Sequence, residues 1–540
     1  MNGQAVPRFR NFAGRSEFSL ETRSWVMLVE MKDNHVTSLA SDPLSRLPLV
    51  RDILPRYLMA RRWYASKEDT APSVTIEEWI AVPDLADAII LLLSVKAEKT
   101  GTTSRYFFPI RAVWACERPV TGVVCELRAG PAGGWLVDGF SDDRFIRALL
   151  KGIQQRERQS PTGNGLAFYR SPLFDLEANF EQIEIERSGA EQSNTSVIAG
   201  DVILKAFRKL EPGVHPELEV GRFLTDVAQL RNVPKLLGSI EHVSSSGERT
   251  ALCVLQSLVQ NGSDGWKHVT EHLNRLSNEG EASREGEHEL VTLAGTMGKT
   301  TAALHQAFGT ATDNPDFKPE PVSREWLLKW EHDLLASARS ASERVRARIQ
   351  SLPDEDRAVA NSFLARKEEL DTRIKALFLG STKAMLTRLH GDFHLGQTII
   401  TKSDVVIVDF EGEPMRPLAE RRGKYFPLRD VAGMLRSFEY ASAAAAREAE
   451  LAGNALSAAR ELTSQMQSDF LTAYAAAIAG CVSFPGDLEQ ADAVLELCII
   501  EKALYEVHYE IANRPDWISI PVAGLLTVIS GNNLGFKRLV

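Results

Sequence analysis

The segment from Thr387 to Pro417 constrains this chain more than any other. It runs His390-Gly391-Asp392-Phe393-His394-Leu395-Gly396-Gln397, then two short apolar stretches, Thr398–Thr401 and Val405–Val408, around Lys402-Ser403-Asp404, and then Asp409-Phe410-Glu411. Two apolar runs about a polar turn predict a β-hairpin. A hairpin returns the chain to its starting point, so Asp409 is expected beside Asp392 and Gln397. Taken alone, an Asp after a Gly is ordinarily a turn residue. His390 and His394 have no third ligand at useful spacing for a metal. An Asp, an amide five residues on, a hairpin and a second Asp together form a far rarer set. Phosphoryl transfer needs that set: one carboxylate to orient the attacking hydroxyl and take its proton, and further side chains to hold Mg²⁺ against the phosphates. Asp392 is the expected base, and Gln397 and Asp409 are the expected Mg²⁺ ligands.

The protein-kinase catalytic loop carries Asn where Gln397 stands. Gln presents the same amide oxygen on a stem one methylene longer. The ATP-facing half is then expected upstream. Lys205, in Val202-Ile203-Leu204-Lys205, sits like the strand lysine that grips phosphates, with an acid of the next helix as partner. Glu217 and Glu219 both qualify, and Glu219 is favoured. Ser193, Asn194, Thr195 and Ser196 occupy the phosphate-loop position without a G-x-G-x-x-G pattern, so backbone N–H groups and small hydroxyls would do the cradling. Gln256 to Val259, with Gln256 and Leu258 foremost, is the expected hinge to adenine. Two look-alikes fail. Gly298-Lys299-Thr300 lacks the first glycine of a P-loop, because Leu293 stands there. His268 and His272 lack the Glu after the first His that a zincin requires.

Net charge is −10 over 540 residues, which disfavours a phosphate-backbone footprint and so a nucleic-acid partner. Cys116, Cys125, Cys253, Cys481 and Cys498 form no C-x-x-C pair and are odd in number, so free thiols in a reducing compartment are expected. The compact apolar runs Ala88–Val95 and Val522–Ile529 are too short to cross a bilayer. No secretory pattern follows Met1. The expectation is a cytoplasmic protein without a membrane partner.

Periodicity divides the chain into a polar extension (1–46), an α+β unit of strands followed by a helix (47–153), a second β-rich unit (154–260) and a mostly helical remainder with one hairpin (261–540). Strands are predicted at Ile76–Val82, Ala88–Val95, Tyr106–Val113, Gly122–Leu127, Phe180–Glu186, Val202–Phe207, Ile240–Val243 and Thr250–Val259. Helices are predicted at Pro216–Leu230, Glu287–Phe308, Glu325–Ala336, Glu343–Ile349, Asp356–Phe378 and Leu456–Ala479. A β-rich lobe before a helical lobe is the organisation of a bilobal kinase, so the fold class expected is α+β and protein-kinase-like, with an N-terminal α+β cap.

His390–Gln397, Asp409-Phe410-Glu411-Gly412-Glu413-Pro414, Pro417-Leu418-Ala419-Glu420-Arg421-Arg422, Glu501-Lys502-Ala503-Leu504-Tyr505-Glu506 and Asn513-Arg514-Pro515-Asp516-Trp517 resemble the bacterial maltokinases. Arg61-Arg62-Trp63-Tyr64-Ala65-Ser66-Lys67 is similar to the start of that family's cap. The resemblance covers residue 47 to the end. It implies a fold like the aminoglycoside phosphotransferases and transfer of the ATP γ-phosphate to the anomeric hydroxyl of maltose. Maltose 1-phosphate would then feed α-glucan synthesis, in functional association with trehalose synthase. Glu411 is expected to aid metal or sugar binding, and Arg421, Tyr505, Glu506, Tyr509 and Trp517 are the other acceptor residues expected; on the C-terminal helix, sugar rings favour aromatic faces beside carboxylates. The rivals are a kinase for another sugar such as glucosamine, and a non-catalytic nucleotide- or sugar-binding scaffold.

Overall fold

The computed structural model describes residues 27–64, 71–114, 119, 121–155, 165–175, 177–187, 194–276, 283–378, 382–402, 404–450, 453–531 and 535–538. Ala65–Lys67, Cys116 and Ser193 therefore lie outside the described residues, Ser193 being the first of the four expected phosphate-loop positions. The chain forms two compact units, Met1–Ala148 and Leu149–Val540.

In the first unit the strands lie in the order Leu28–Glu30, Val123–Ala129, Ala132–Asp138, Thr103–Val113, Ala88–Lys96, Ser73–Ala81. Only the first pairing is parallel. Side chains alternate across a strand, so Leu91, Leu93, Phe108 and Ile110 share one face. There they pack with Leu54, Tyr57, Leu58 and Trp63 from the preceding helical segment. Residues 27–46, read from sequence as part of an extension, belong to this unit. Val29 is fully buried in the edge strand, and Leu39 is buried in the Ser38–Ser41 turn of helix. Isolated apolar anchors among polar residues carry no period, which is why they do not stand out in the sequence.

The second unit opens with a six-stranded antiparallel sheet in the order Gly165–Arg170, Leu236–Val243, Arg249–Ser257, Val202–Ala206, Thr195–Ala199, Ile185–Arg187. The strand expected from Phe180 is confined to Ile185–Arg187. Pro216 starts the helix Pro216–Arg222, with Glu217 and Glu219 in its first turn. Pro costs nothing there and acids suit the positive end of the dipole. Long helices follow, and the hairpin Thr398–Ile400/Val405–Ile407 lies among them with Ser263–Asp264 as a third strand. Helices expected separately at Glu325–Ala336 and Glu343–Ile349 are one, Arg324–Arg348, because no breaker separates them. Ser323 caps it by accepting from the Trp326 N–H at 3.1 Å. Asp356–Phe378 is instead broken at Arg366 into two helices. No helix among the described residues is long and apolar enough to cross a membrane.

Candidate active site

The catalytic-loop segment is fixed from below by a buried carboxylate. Asp430, in the first turn of the helix Leu428–Glu448, accepts from the His390 N–H at 2.7 Å and the Gly391 N–H at 3.0 Å, and its Oδ2 lies 3.2 Å from His305 Nε2. Against the penalty of burial, His305 and these bonds hold Asp430 below the usual carboxylate range. Gly391 has φ +86°, where a side chain would be strained. The supporting helix passes so close at Gly433 that a Cβ there would stand 2.4 Å from the Phe393 carbonyl.

His390 ties the loop to the returning strand. Its Nε2 lies 2.9 Å from the Val408 carbonyl, so it donates there, and Nδ1 is left to accept from the Asp392 N–H at 3.3 Å. The next residue, Asp409, has φ +68°, a left-handed conformation that Asp tolerates better than most side chains. The Gln397 amide donates to Asp409 Oδ2 at 3.0 Å, leaving its Oε1 as a further oxygen donor. The hairpin thus brings Gln397 and Asp409 together, and His390 pins Asp392 to the same strand.

Lys205 reaches this cluster from the sheet. Its Nζ bonds Asp409 Oδ1 and lies 2.8 Å from Glu217 Oε2 and 2.6 Å from Glu411 Oε1. The partner on the helix is therefore Glu217 and not Glu219. Glu219 faces the other way, 2.6 Å from Arg388 and 2.9 Å from Arg422. The two acids are two residues apart, so they leave the helix on different sides. Three carboxylates about one ammonium create unequal environments. Burial, with Asp409 and Glu411 nearby, pushes Glu217 up to about 8 even though Lys205 pulls it down. Against burial, Lys205 holds Asp409 down to about 2. Against its own burial, Lys205 is raised well above the ordinary lysine value by the same acids.

Several expected positions fall elsewhere. Glu411, expected at the metal or the sugar, sits in the Lys205 cluster and accepts from the Asn194 amide at 2.7 Å. Arg421, also expected there, is consumed as a buckle: it bonds Glu211 and donates to the Glu411 carbonyl at 3.1 Å and the Arg416 carbonyl at 3.2 Å. Thr195 accepts from Arg208 at 2.8 Å, and Ser196 lies opposite Lys205 in the strand register. Gln256 pairs with Ile203. The Leu258 N–H, expected to face adenine, donates instead to the Asp201 carbonyl at 2.8 Å, closing the turn beside it.

Beside Asp392 lies a cavity of about 350 Å³ lined by Trp266, His394, Tyr440, Lys502, Tyr505, Glu506, Tyr509, Glu510 and Arg514 as well as Asp392. Of the residues expected for the acceptor, Tyr505, Glu506 and Tyr509 line this cavity. Trp517 is not among the lining residues; it stacks behind, 6.3 Å from the Tyr440 ring. Each lining acid faces a cation. Lys502 Nζ is 3.3 Å from Asp392 and 2.9 Å from Glu413, Arg436 is 2.8 Å from Glu506, and Arg514 is 2.7 Å from Glu510. Against burial, Lys502, Arg429 and Arg416 hold Glu413 down to about 2. Burial lowers the His394 imidazole, which favours its neutral form. Lys502 is the main residue that sequence reasoning left without a role. It lies on the same helix face as Tyr505, three residues on, which is the signal that could have found it.

The family model described as "Phosphotransferase enzyme family" matches residues 182–463, just over half of the chain, and "Maltokinase N-terminal cap domain" matches residues 57–142. A glucosamine kinase of Mycolicibacterium smegmatis is 26% identical over 339 residues, covering 62% of this chain and 77% of its own length. A glucosamine kinase of Streptacidiphilus jiangxiensis is 21% identical over 342 residues, covering 63% and 72%. The solved structure of a glucosamine kinase with glucosamine, ADP and inorganic phosphate superposes with TM-score 0.61 at 17% identity, covering 89% of this chain and 98% of that one. The kinase-like α+β fold expected from the lobe order is thereby found. With a cap-domain match ahead of it, and with the expected catalytic loop, the strand lysine and a helix acid lying within the matched residues, this chain belongs to the phosphotransferase enzyme family.

Proposed function

We propose that this protein is an ATP-dependent sugar kinase in which Asp392 orients the acceptor hydroxyl and takes its proton, with maltose as acceptor and maltose 1-phosphate as product. The observation that carries the reading is the position of Asp392. It borders the 350 Å³ cavity on one side and is pinned through His390 to the Lys205–Asp409 cluster on the other. A group between a phosphate-binding cluster and a pocket for a hydroxylated ligand is where in-line transfer needs its base.

The residues present fit Mg²⁺. Carboxylate oxygens of Glu217, Asp409 and Glu411 lie within 4.8 Å of one another, a hard-oxygen donor set. Asp409 and Gln397 would hold the ion, with Glu411 alongside. When bound, Mg²⁺ supplies charge neutralisation at the phosphates. Lys205, held by Glu217, positions the phosphoryl oxygens, and Asn194 steadies Glu411. Lys502 balances the Asp392 and Glu413 charges at the cavity mouth.

Charge balance favours a neutral sugar. Every carboxylate lining the described cavity already faces Lys502, Arg436 or Arg514, so an ammonium group would enter without an unpaired acid to meet it. The cap-domain match and the Tyr505/Tyr509 faces also support maltose. Glucosamine is the second reading, and the two curated relatives named above favour it. Buried thiols at Cys125, Cys253 and Cys498 support a reducing, cytoplasmic setting, and the resemblance supports a link to trehalose synthase and α-glucan synthesis. Turnover of maltose, glucose and glucosamine with ATP tests the reading, with NMR of the product locating the phosphate. Phosphate on the anomeric carbon of maltose is expected. Preference for glucosamine would overturn the assignment of the acceptor.

A further inference from the structure

The helix Gly265–Leu276 carries two histidines that phosphoryl transfer does not use. His268 and His272 are four residues apart and leave the same helix face, with ring centroids 4.3 Å apart. Glu289, from the helix Ser283–Phe308, meets them: its Oε2 is 3.3 Å from His272 Nε2. One nitrogen of each imidazole and one Glu289 oxygen all lie within 4.8 Å of one another. Around a tetrahedral zinc ion, ligand atoms at ~2.0–2.1 Å stand about 3.3–3.5 Å apart. His272 and Glu289 already have that spacing.

Tautomers agree with the spacing. His272 Nδ1 is 2.9 Å from the His268 carbonyl and donates to it. In the neutral ring that donation leaves Nε2, 3.3 Å from the Glu289 carboxylate, as the nitrogen with the lone pair. Nδ1–H bonded to a carbonyl is the usual second contact of a metal-ligating histidine. His268 Nδ1 lies 3.4 Å from Ser263 Oγ, which leaves Nε2 for the shared position. A lone pair aimed at a carboxylate is repulsive unless a cation separates them. The exposed Arg275 guanidinium supplies one, lying against the His272 ring 2.9 Å from Nε2 and 3.0 Å from Nδ1.

We propose that His268, His272 and Glu289 bind a zinc ion, and that Arg275 stands in its place when the ion is absent. Two imidazoles and a carboxylate suit zinc-type ions, whereas the oxygen-only cluster at Asp409 suits magnesium. The ion would staple together the helices Gly265–Leu276 and Ser283–Phe308. The first of these bears on the acceptor site: Trp266 lines its cavity, and a Cβ at Gly265 would stand 2.7 Å from the Leu395 carbonyl.

Cobalt titration of the full chain in excess Mg²⁺ tests the proposal. One equivalent should give the visible absorption of four-coordinate, nitrogen-ligated Co²⁺ and should be displaced by Zn²⁺. His268→Ala with His272→Ala should abolish the band while circular dichroism stays unchanged. Glu289→Gln, at an exposed position, should weaken binding by about tenfold or more, and Arg275→Ala should strengthen it by about tenfold, the scale on which neighbours of metal ligands act. Asp409→Asn should leave the band intact. No band in the native protein, a band that survives the double substitution, or a band lost with Asp409→Asn would overturn the assignment.

Discussion

Replacing Glu217 with Gln tests the electrostatics of the lysine cluster. Glu217 is buried, and its folded-state value of about 8 lies above its ordinary 4.5. A carboxyl raised in the folded state contributes stability that is fully present below pH 4.5 and is lost as pH rises through 8. Moving it from 4.5 to about 8 removes a few kcal/mol by pH 9, at ~1.4 kcal/mol for each tenfold change in proton affinity. Gln keeps the shape, and its oxygen still accepts from Lys205, but it does not ionise. Urea unfolding without nucleotide should give native and variant chains of similar stability at pH 5, with the variant a few kcal/mol more stable at pH 9. Turnover should move the other way. Where Glu217 is ionised, at pH 9, an amide holds the Lys205 ammonium more weakly than the carboxylate by about 1.5–3 kcal/mol, so kcat/KM for ATP at that pH should fall by about 10- to 150-fold. Parallel stability curves from pH 5 to 9, or a variant less stable than the native chain at pH 9, would refute the reasoning.

Glu219→Gln should behave differently, because it leaves Arg388 buried without its anion. About 3–5 kcal/mol of stability should be lost in urea unfolding, with KM for ATP little changed in the folded fraction. A large rise in that KM with no loss of stability would return Glu219 to Lys205. Lys502→Met removes the cation between Asp392 and Glu413 while Arg416 and Arg429 still hold Glu413. A fall in kcat of about 10²–10³ is expected, and an unchanged kcat would exclude Lys502 from the site. Asp409 and Glu413 are both held down to about 2. Their stabilisation is present above the usual carboxylate range and is lost as pH falls from about 4 toward 2. Circular dichroism should place acid unfolding in that window, and unfolding above pH 5 would contradict it.

The juxtaposition of Gln397 and Asp409 was legible in the sequence because a hairpin imposes it locally. Lys205 was legible for a similar reason: a strand lysine has few places to go once the catalytic loop is known. The choice between Glu217 and Glu219 was not legible. It depends on helix phase at Pro216 and on Arg388, which is 169 residues downstream of Glu219. The buckle role of Arg421, and which of metal or sugar Glu411 would face, were not legible for a related reason. Neighbours of a motif inherit its location but not its orientation, and here Asp409's positive φ turns the following residues toward the sheet. Asp430 gave a faint signal, an acid inside the apolar start of a helix, but its partners His305 and His390 come from distant segments. The pairing of each cavity acid with a cation is likewise tertiary and leaves no period along the chain.

The most direct test of the central claim is single-turnover phosphate transfer by Asp392→Asn, with nucleotide binding measured on the same preparation. Unaltered nucleotide affinity with turnover lowered by about 10³-fold or more is predicted. Phosphate transfer at the native rate would contradict the account.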